Sequence, residues 1–338
     1  MVPESSENPF LIQDIEEEEI EYYEQLGIHQ KLKHKFIEIY LGIWVENVGL
    51  KSKKNPPTVD FFDLYAASGL AHDKYIKSSW HGSALLAAKA FGEYPKGNLL
   101  FLNSYDEDPE KCEKQLEILK RSIRDLEDCP HVFEKTIFIS EEIHRATKIA
   151  LRNLNKDFPS LWILDPCHPD QLPWEIVENI GSTVGKQYKE GVPAKKPELI
   201  INLMTSIIQR NINKKPEIFS NAIGLSEDEW RPLYEKYEKK WREQGIEKCT
   251  RRVILDVYAE RLSNLYNKRP LIALVNAAKG GVVYTMLLVT DSDAGYYTMM
   301  KKMKEWEEYK IYRWKPEATL SSFKRDNPTQ QGLEKWLN

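Results

Sequence analysis

Between Thr58 and Met204 short apolar runs alternate with segments of helical period, and this alternation limits the folds open to the chain more than any other feature. The runs are TVDFFDLYA, NLLFLNSY, KTIFIS, SLWILDP and PELIINLM. Between them stand GSALLAAKAFGEY, DPEKCEKQLEILKRSIRDL, EIHRATKIALRNL and PWEIVENIGSTVGK. A strand followed by a helical crossover returns beside its predecessor in the same direction, so these runs predict a parallel sheet with helices packed on it.

The flanking segments differ. Upstream, KLKHKFIEIYLGIWVENVG places Leu32, Phe36, Ile39, Tyr40, Ile43 and Trp44 at helical spacing, an amphipathic helix with a basic beginning. KSKKNPP then ends it, since proline has no N–H to donate. From about Ile208 to Leu265 strand signals stop, and SEDEWRPLYEKYEKKWREQG reads as charged helix capped by Ser226. Strands return in RPLIALVNAAKGGVVYTMLLVTDSD, where Lys279, Gly280 and Gly281 suit a hairpin turn. The expected division is a helical lead over 1–55, an α/β core over 56–207, a helical insertion over 208–268, the returning strands and a helix over 269–303, and a tail over 304–338.

With 338 residues, 41% of them hydrophobic, the chain has material for a large core. Its formal charge of −4 gives no global basic field, so contact with nucleic acid would rest on local segments: KLKHK, QRNINKK, Arg251 and Arg252. Such charge runs are usually solvated faces. No apolar run approaches the roughly 20 residues that span a bilayer, and the acidic start MVPESSENPFLIQDIEEEEIEYYEQL is unlike a signal peptide. The expected location is cytoplasmic, with no membrane partner. Cys112, Cys129, Cys167 and Cys249 are scattered without a C-x-x-C pair, which indicates neither a disulfide framework nor a metal site.

At the end of the first run an acid, Asp63, is followed by the small residues Ala66, Ala67, Ser68 and Gly69. In α/β proteins such a break marks a tight turn whose backbone approaches a nucleotide-like ligand. The absence of G-x-G-x-x-G here disfavours a nicotinamide oxidoreductase. His72 and His81 flank the turn as candidate bases or as ordinary loop histidines.

Several pieces, in order, resemble the three-Cys-motif partner family, which has a class I S-adenosylmethionine-dependent methyltransferase-like fold. They are KLKHKFIEIYLGIW, DLYAASG, HGSALLAAKA, WILDPCHPDQLPWEIV, ELIINLMTSIIQRN and YTMLLVTDSDAGYYTMMKKM, covering most of Lys31 to Met303. The implied fold is α/β and Rossmann-like, a mostly parallel sheet closed by an antiparallel hairpin. The implied cofactor is S-adenosylmethionine, and the implied partner is a protein carrying three cysteines.

That resemblance assigns the cofactor to Asp63, Tyr65, Ala66 and Gly69 in the turn, to Asn103 at the ribose position, and to Glu141 or its neighbour Glu142 beside the adenine. On this reading a side chain at Gly69 blocks the ligand and spares the fold. Two positions depart from the family. Ala67-Ser68 replaces Gly-Pro, and Asn103 stands where an acid commonly accepts both ribose hydroxyls. Asp106 to Pro109 and Glu141-Glu142 also suit helix starts. For catalysis the candidates are Asp165, which would orient an acceptor amine, with Pro166, which turns the chain out of the sheet, and His168. Cys167-His168 occupies the place of a stacking aromatic. Trp174 either replaces that platform or belongs to the core. The rival reading is a catalytically silent scaffold of the same fold that binds a protein or nucleic acid.

Overall fold

Strands that are apolar on both sides have no solvated face, and the chain covers them with helices on each side. The computed structural model describes residues 17–25, 28–49, 59–73, 78–92, 99–126, 136–184, 196–266, 270–276, 282–290 and 293–308. It begins with a 3₁₀ turn (Glu17–Tyr22), β1 (Glu24–Gln25) and α1 (Ile28–Gly49). Then come β2 (Asp60–Asp63), β3 (Leu70–Asp73), β4 (Ser78–His81), α2 (Ser83–Gly92) and β5 (Leu99–Asn103). They are followed by α3 (Pro109–Arg124), β6 (Thr136–Ile139), α4 (Ile143–Asn153) and β7 (Ser160–Leu164). A 3₁₀ turn (Pro169–Gln171) leads to α5 (Trp174–Gly181) and β8 (Glu198–Leu203). Four helices, α6 (Thr205–Asn211), α7 (Pro216–Ile223), α8 (Glu227–Glu243) and α9 (Thr250–Tyr266), precede β9 (Leu271–Asn276), β10 (Val282–Val289) and α10 (Asp293–Glu308).

Seven strands form one sheet in the order β6-β5-β2-β7-β8-β10-β9. The first five run parallel, and β10 is antiparallel to both β8 and β9. The architecture is a mixed α/β fold with a mostly parallel sheet covered by helices on both faces. Because successive side chains point to opposite faces, Phe61, Leu100, Leu161 and Ile200 meet α1, α2 and α3 on one side. Phe62, Phe101, Trp162 and Ile201 meet α5, α7 and α9 on the other. Phe101, Phe62 and Trp162 share one register across β5, β2 and β7, and Phe62 stacks on Trp162 with ring centroids 4.0 Å apart.

Three expectations change. The helical lead is part of the core: α1 buries Phe36, Ile37, Tyr40, Leu41 and Trp44 in the same cluster as the sheet, and Lys33 and His34 are buried with them. Thus the segment KLKHK is not wholly a solvated basic face. The helical insertion is equally integral, since α9 contributes Val257, Tyr258 and Leu262 to the second face. Finally, the turn after β2 does not lead straight into a helix. It passes first through the ribbon β3-β4, antiparallel, which β1 joins in parallel with β3. The hairpin turn at Lys279, Gly280 and Gly281, the breaker KSKKNPP, the acidic stretch over 1–16, Cys129 and the tail beyond 308 lie outside the described residues. Among the described residues no helix is long and apolar enough to cross a membrane.

Candidate functional site at the carboxyl edge of the sheet

From β2 the chain moves outward to β5 and β6 and then returns to β7 on the other side of β2, so the topological switch lies between β2 and β7. In open α/β sheets the crevice beyond the carboxyl ends at such a switch is where ligands bind. Asp63 ends β2, and Asp165 follows the last residue of β7.

Asp63 organises the turn. One carboxylate oxygen accepts the backbone N–H of Tyr65 at 2.9 Å and the other accepts the hydroxyl of Ser83 at 2.5 Å, which ties the end of β2 to the start of α2. Burial pushes its carboxyl up to about 7, against the pull of those two bonds. Ala66 is buried and donates its N–H to the Asn103 carbonyl at 2.9 Å. Tyr65 reaches across the crevice, and its hydroxyl donates to the Gln171 carbonyl at 2.5 Å.

Gly69 has φ +71, a backbone that favours glycine. A Cβ there would lie 2.7 Å from Leu119 Cδ1 and 3.2 Å from Leu85 Cγ. The glycine thus faces the packing of α2 and α3, and the expectation that a side chain at Gly69 would spare the fold is corrected. Ala67 also takes a left-handed conformation, φ 45, where a side chain carries strain. Ala67→Gly is therefore expected to stabilise the protein by about 0.5–1 kcal/mol, seen as a higher urea midpoint. A lower midpoint would contradict the strained turn.

Asn103, the expected ribose position, bonds to backbone groups. It is buried, its amide nitrogen donates to the carbonyls of Leu64 and Glu141, each at 3.1 Å, and its oxygen accepts the N–H of Glu141 at 3.0 Å. Both donor hydrogens and the carbonyl serve to lace together the ends of β2, β5 and β6. Glu141 pairs its side chain with Arg145 at 3.3 Å, while Glu142 caps α4 by accepting the N–H groups of His144 and Arg145. Asp108 caps α3, and Asp106 pairs with Lys111 at 2.5 Å.

At the other side of the switch, Asp165 is buried and forms an ion pair with Lys33 of α1. Its second oxygen accepts from the Asn202 amide nitrogen at 2.8 Å. Asp63, Lys33 and Asp165 are all buried, and the charges of Lys33 and Asp165 both act on Asp63. Pro166 follows Asp165 out of the sheet. His168 lies outward, capping the 3₁₀ turn and facing Asp170 at 3.2 Å. The Gln171 side chain accepts the N–H groups of Cys167 and His168, which fixes this loop. Trp174 is buried edge-on to Tyr258 at 5.7 Å, a core position.

The histidines near the turn are structural neighbours of the ribbon. His72 meets the Ser79 hydroxyl at 2.8 Å, and burial pulls His81 down to about 4, with Lys89 adding to it. Behind them, Trp80 donates to His34 Nδ1 at 2.9 Å. Burial, then the charge of Lys33, holds that imidazole well below its usual range. Of the basic segments, Lys35 pairs with Glu38, Arg252 lies over Trp241, and Arg210, Lys214 and Lys215 are exposed. Among the described residues no group of three or more His, Cys, Asp or Glu could hold a metal ion.

Sequence reasoning missed Lys33 and Asn202, although both left a signal. Lys33 precedes Phe36, Ile37, Tyr40 and Trp44 at intervals of three, four, seven and eleven, which places it on the apolar face of its helix. Asn202 interrupts the apolar part of a central strand, Leu199 to Leu203, and a polar group there needs a partner.

No family model matches the chain, and neither does any curated protein. Among solved structures, a Legionella pneumophila protein of the family DUF519 is similar over 81% of this chain and 92% of its own, at 12% identity and a TM-score of 0.42.

Proposed function

We propose that this chain is a class I methyltransferase-like protein, resembling the three-Cys-motif partners, that binds S-adenosylmethionine at the carboxyl edge between β2 and β7. The observation that carries this reading is the sheet itself. Five parallel strands are closed by β9 and β10, with β10 inserted antiparallel beside β8. That is the arrangement of a parallel sheet finished by an antiparallel hairpin that the resemblance implies. The turn from Asp63 to Gly69 lies at the switch, where such a cofactor belongs.

In this reading the sulfonium cofactor supplies an electrophilic methyl group. The chain's own residues hold the turn rigid through Asp63 and Ser83, close the crevice through Tyr65 and Gln171, and present a carboxylate at Asp165. Positioning of donor against acceptor is then the main catalytic contribution. A second reading, a catalytically silent scaffold for a protein or nucleic acid, draws on the commitment of Asn103 to backbone groups and of Asp165 to Lys33.

Calorimetric titration separates the two. S-adenosylmethionine is expected to bind in the micromolar to millimolar range, about −4 to −8 kcal/mol, and NAD to give no heat. Absence of heat with S-adenosylmethionine would leave the scaffold.

A further inference from the structure

At the carboxyl ends of the adjacent strands β2 and β7, Asp63 and Asp165 are both buried. The buried base whose charge acts there, Lys33 of α1, makes its ion pair with Asp165. Asp63 is left with neutral donors, the N–H of Tyr65 and the hydroxyl of Ser83 from α2. Beside it β5 ends in the neutral amide of Asn103. His34, next to Lys33 on α1, is buried, and burial and then the charge of Lys33 keep it neutral. With both acids ionised, these groups carry one negative charge in excess. A buried charge without a counter-ion is costly, so a proton takes the counter-ion's place. That proton belongs to Asp63, whose carboxyl burial and the charge of Asp165 push up to about 7 against its hydrogen bonds and Lys33.

Asp63 is the last residue of β2, and its carboxylate holds the N–H of Tyr65 in the turn that leads to Gly69. A positive charge brought to that turn acts on the acid through the poorly screening interior without touching it. We propose that Asp63 couples ligand binding to proton release: a cationic group entering the crevice at this turn takes the place of the proton, and Asp63 ionises as the ligand binds. The inference rests on the functional reading above, which puts S-adenosylmethionine at the turn. That ligand brings two cations, its ammonium and its sulfonium. The proton passes to solvent, and no covalent bond of the ligand changes. Linkage fixes the sign. The acid holds its proton less tightly with the cation present, so affinity falls as pH drops below about 7 and levels off above it. Asp60, the other buried acid of β2, stands at the opposite end of the strand, where its carboxylate accepts the N–H of Asn155.

The experiment titrates the full chain with S-adenosylmethionine by calorimetry at pH 6 and pH 7, each in two buffers of different ionisation enthalpy, which counts the protons released. Affinity is expected to rise about fivefold between the two, as the ionised fraction of an acid near 7 grows from about a tenth to about a half. At pH 7 about half a proton is expected to leave per ligand bound. S-adenosylhomocysteine keeps the ammonium and lacks the sulfonium charge. Release with both ligands assigns the effect to the ammonium, release with S-adenosylmethionine alone assigns it to the sulfonium, and either supports the coupling. 5′-Methylthioadenosine carries neither cation and is expected to release no proton. Asp63→Asn, which has the shape of the protonated acid and is checked for folding by circular dichroism, is expected to bind S-adenosylmethionine equally at both pH values and to release none. A wild type that binds S-adenosylmethionine without proton release overturns the coupling whether or not this variant folds, and leaves the functional reading standing. Undiminished release from Asp63→Asn, or with 5′-methylthioadenosine, overturns it equally. If S-adenosylmethionine binds at neither pH, the functional reading fails and takes this proposal with it.

Discussion

Replacing Lys33 by Met is expected to cost the fold about 3–5 kcal/mol, because it leaves the buried Asp165 carboxylate without its counter-charge. Met fills much of the same volume, so the loss reads electrostatics rather than a cavity. The Asn202 amide is the other partner of Asp165 named above, and a single neutral donor does not balance a buried charge. A second substitution tests this cause. Asp165→Asn in the Lys33→Met background removes the charge and keeps an oxygen for Asn202, and is expected to recover most of the loss. Urea denaturation of the two variants beside the wild type measures both effects. Equal stability of wild type and Lys33→Met would show that the pair is not buried as described, and a double variant no better than the single would remove the electrostatic explanation.

Gly69→Val is expected to destabilise the protein by about 3 kcal/mol or more, with loss of ligand binding only as a consequence. Two costs add. A β-branched residue at φ +71 is strained by about 1–2 kcal/mol, and the new side chain meets Leu119 and Leu85 where the packing has no room, worth about 1–3 kcal/mol. The neighbouring backbone is equally tight, since Gly82 donates its N–H to the Gly69 carbonyl at 2.7 Å. Thermal unfolding measured together with ligand titration distinguishes the alternatives. A variant as stable as wild type that no longer binds would return Gly69 to the ligand cradle.

The strands were legible because central parallel strands are buried on both faces, and that requirement writes itself as uninterrupted apolar runs. LWIL in β7 is such a run, and in β8 LII follows Glu198 before Asn202 interrupts it. The ribbon LAHD and SSWH was not legible. Each strand has four residues and mixes polar with apolar side chains, so neither period emerges. At the site, Asp63 and Asp165 stood out as acids that end apolar runs. The backbone partners of Asn103 were not legible, because an amide at a strand end suits a ribose hydroxyl as well as it suits the backbone of two adjacent strands. Lys33 was hidden in another way. Its neighbours Lys31 and Lys35 make a charge run, and the run concealed a helical phase that puts the middle lysine inside.

The central claim is that the crevice between β2 and β7 holds the cofactor. Hydrogen exchange of the full chain with and without S-adenosylmethionine tests it most directly, because amides that a ligand covers or rigidifies exchange more slowly. The account predicts slowed exchange confined to the turn over 64–69, the strand end over 103–106 and the loop over 165–172. Unchanged exchange in these three segments at saturating ligand, or protection concentrated on the helices over 216–243 instead, would contradict it.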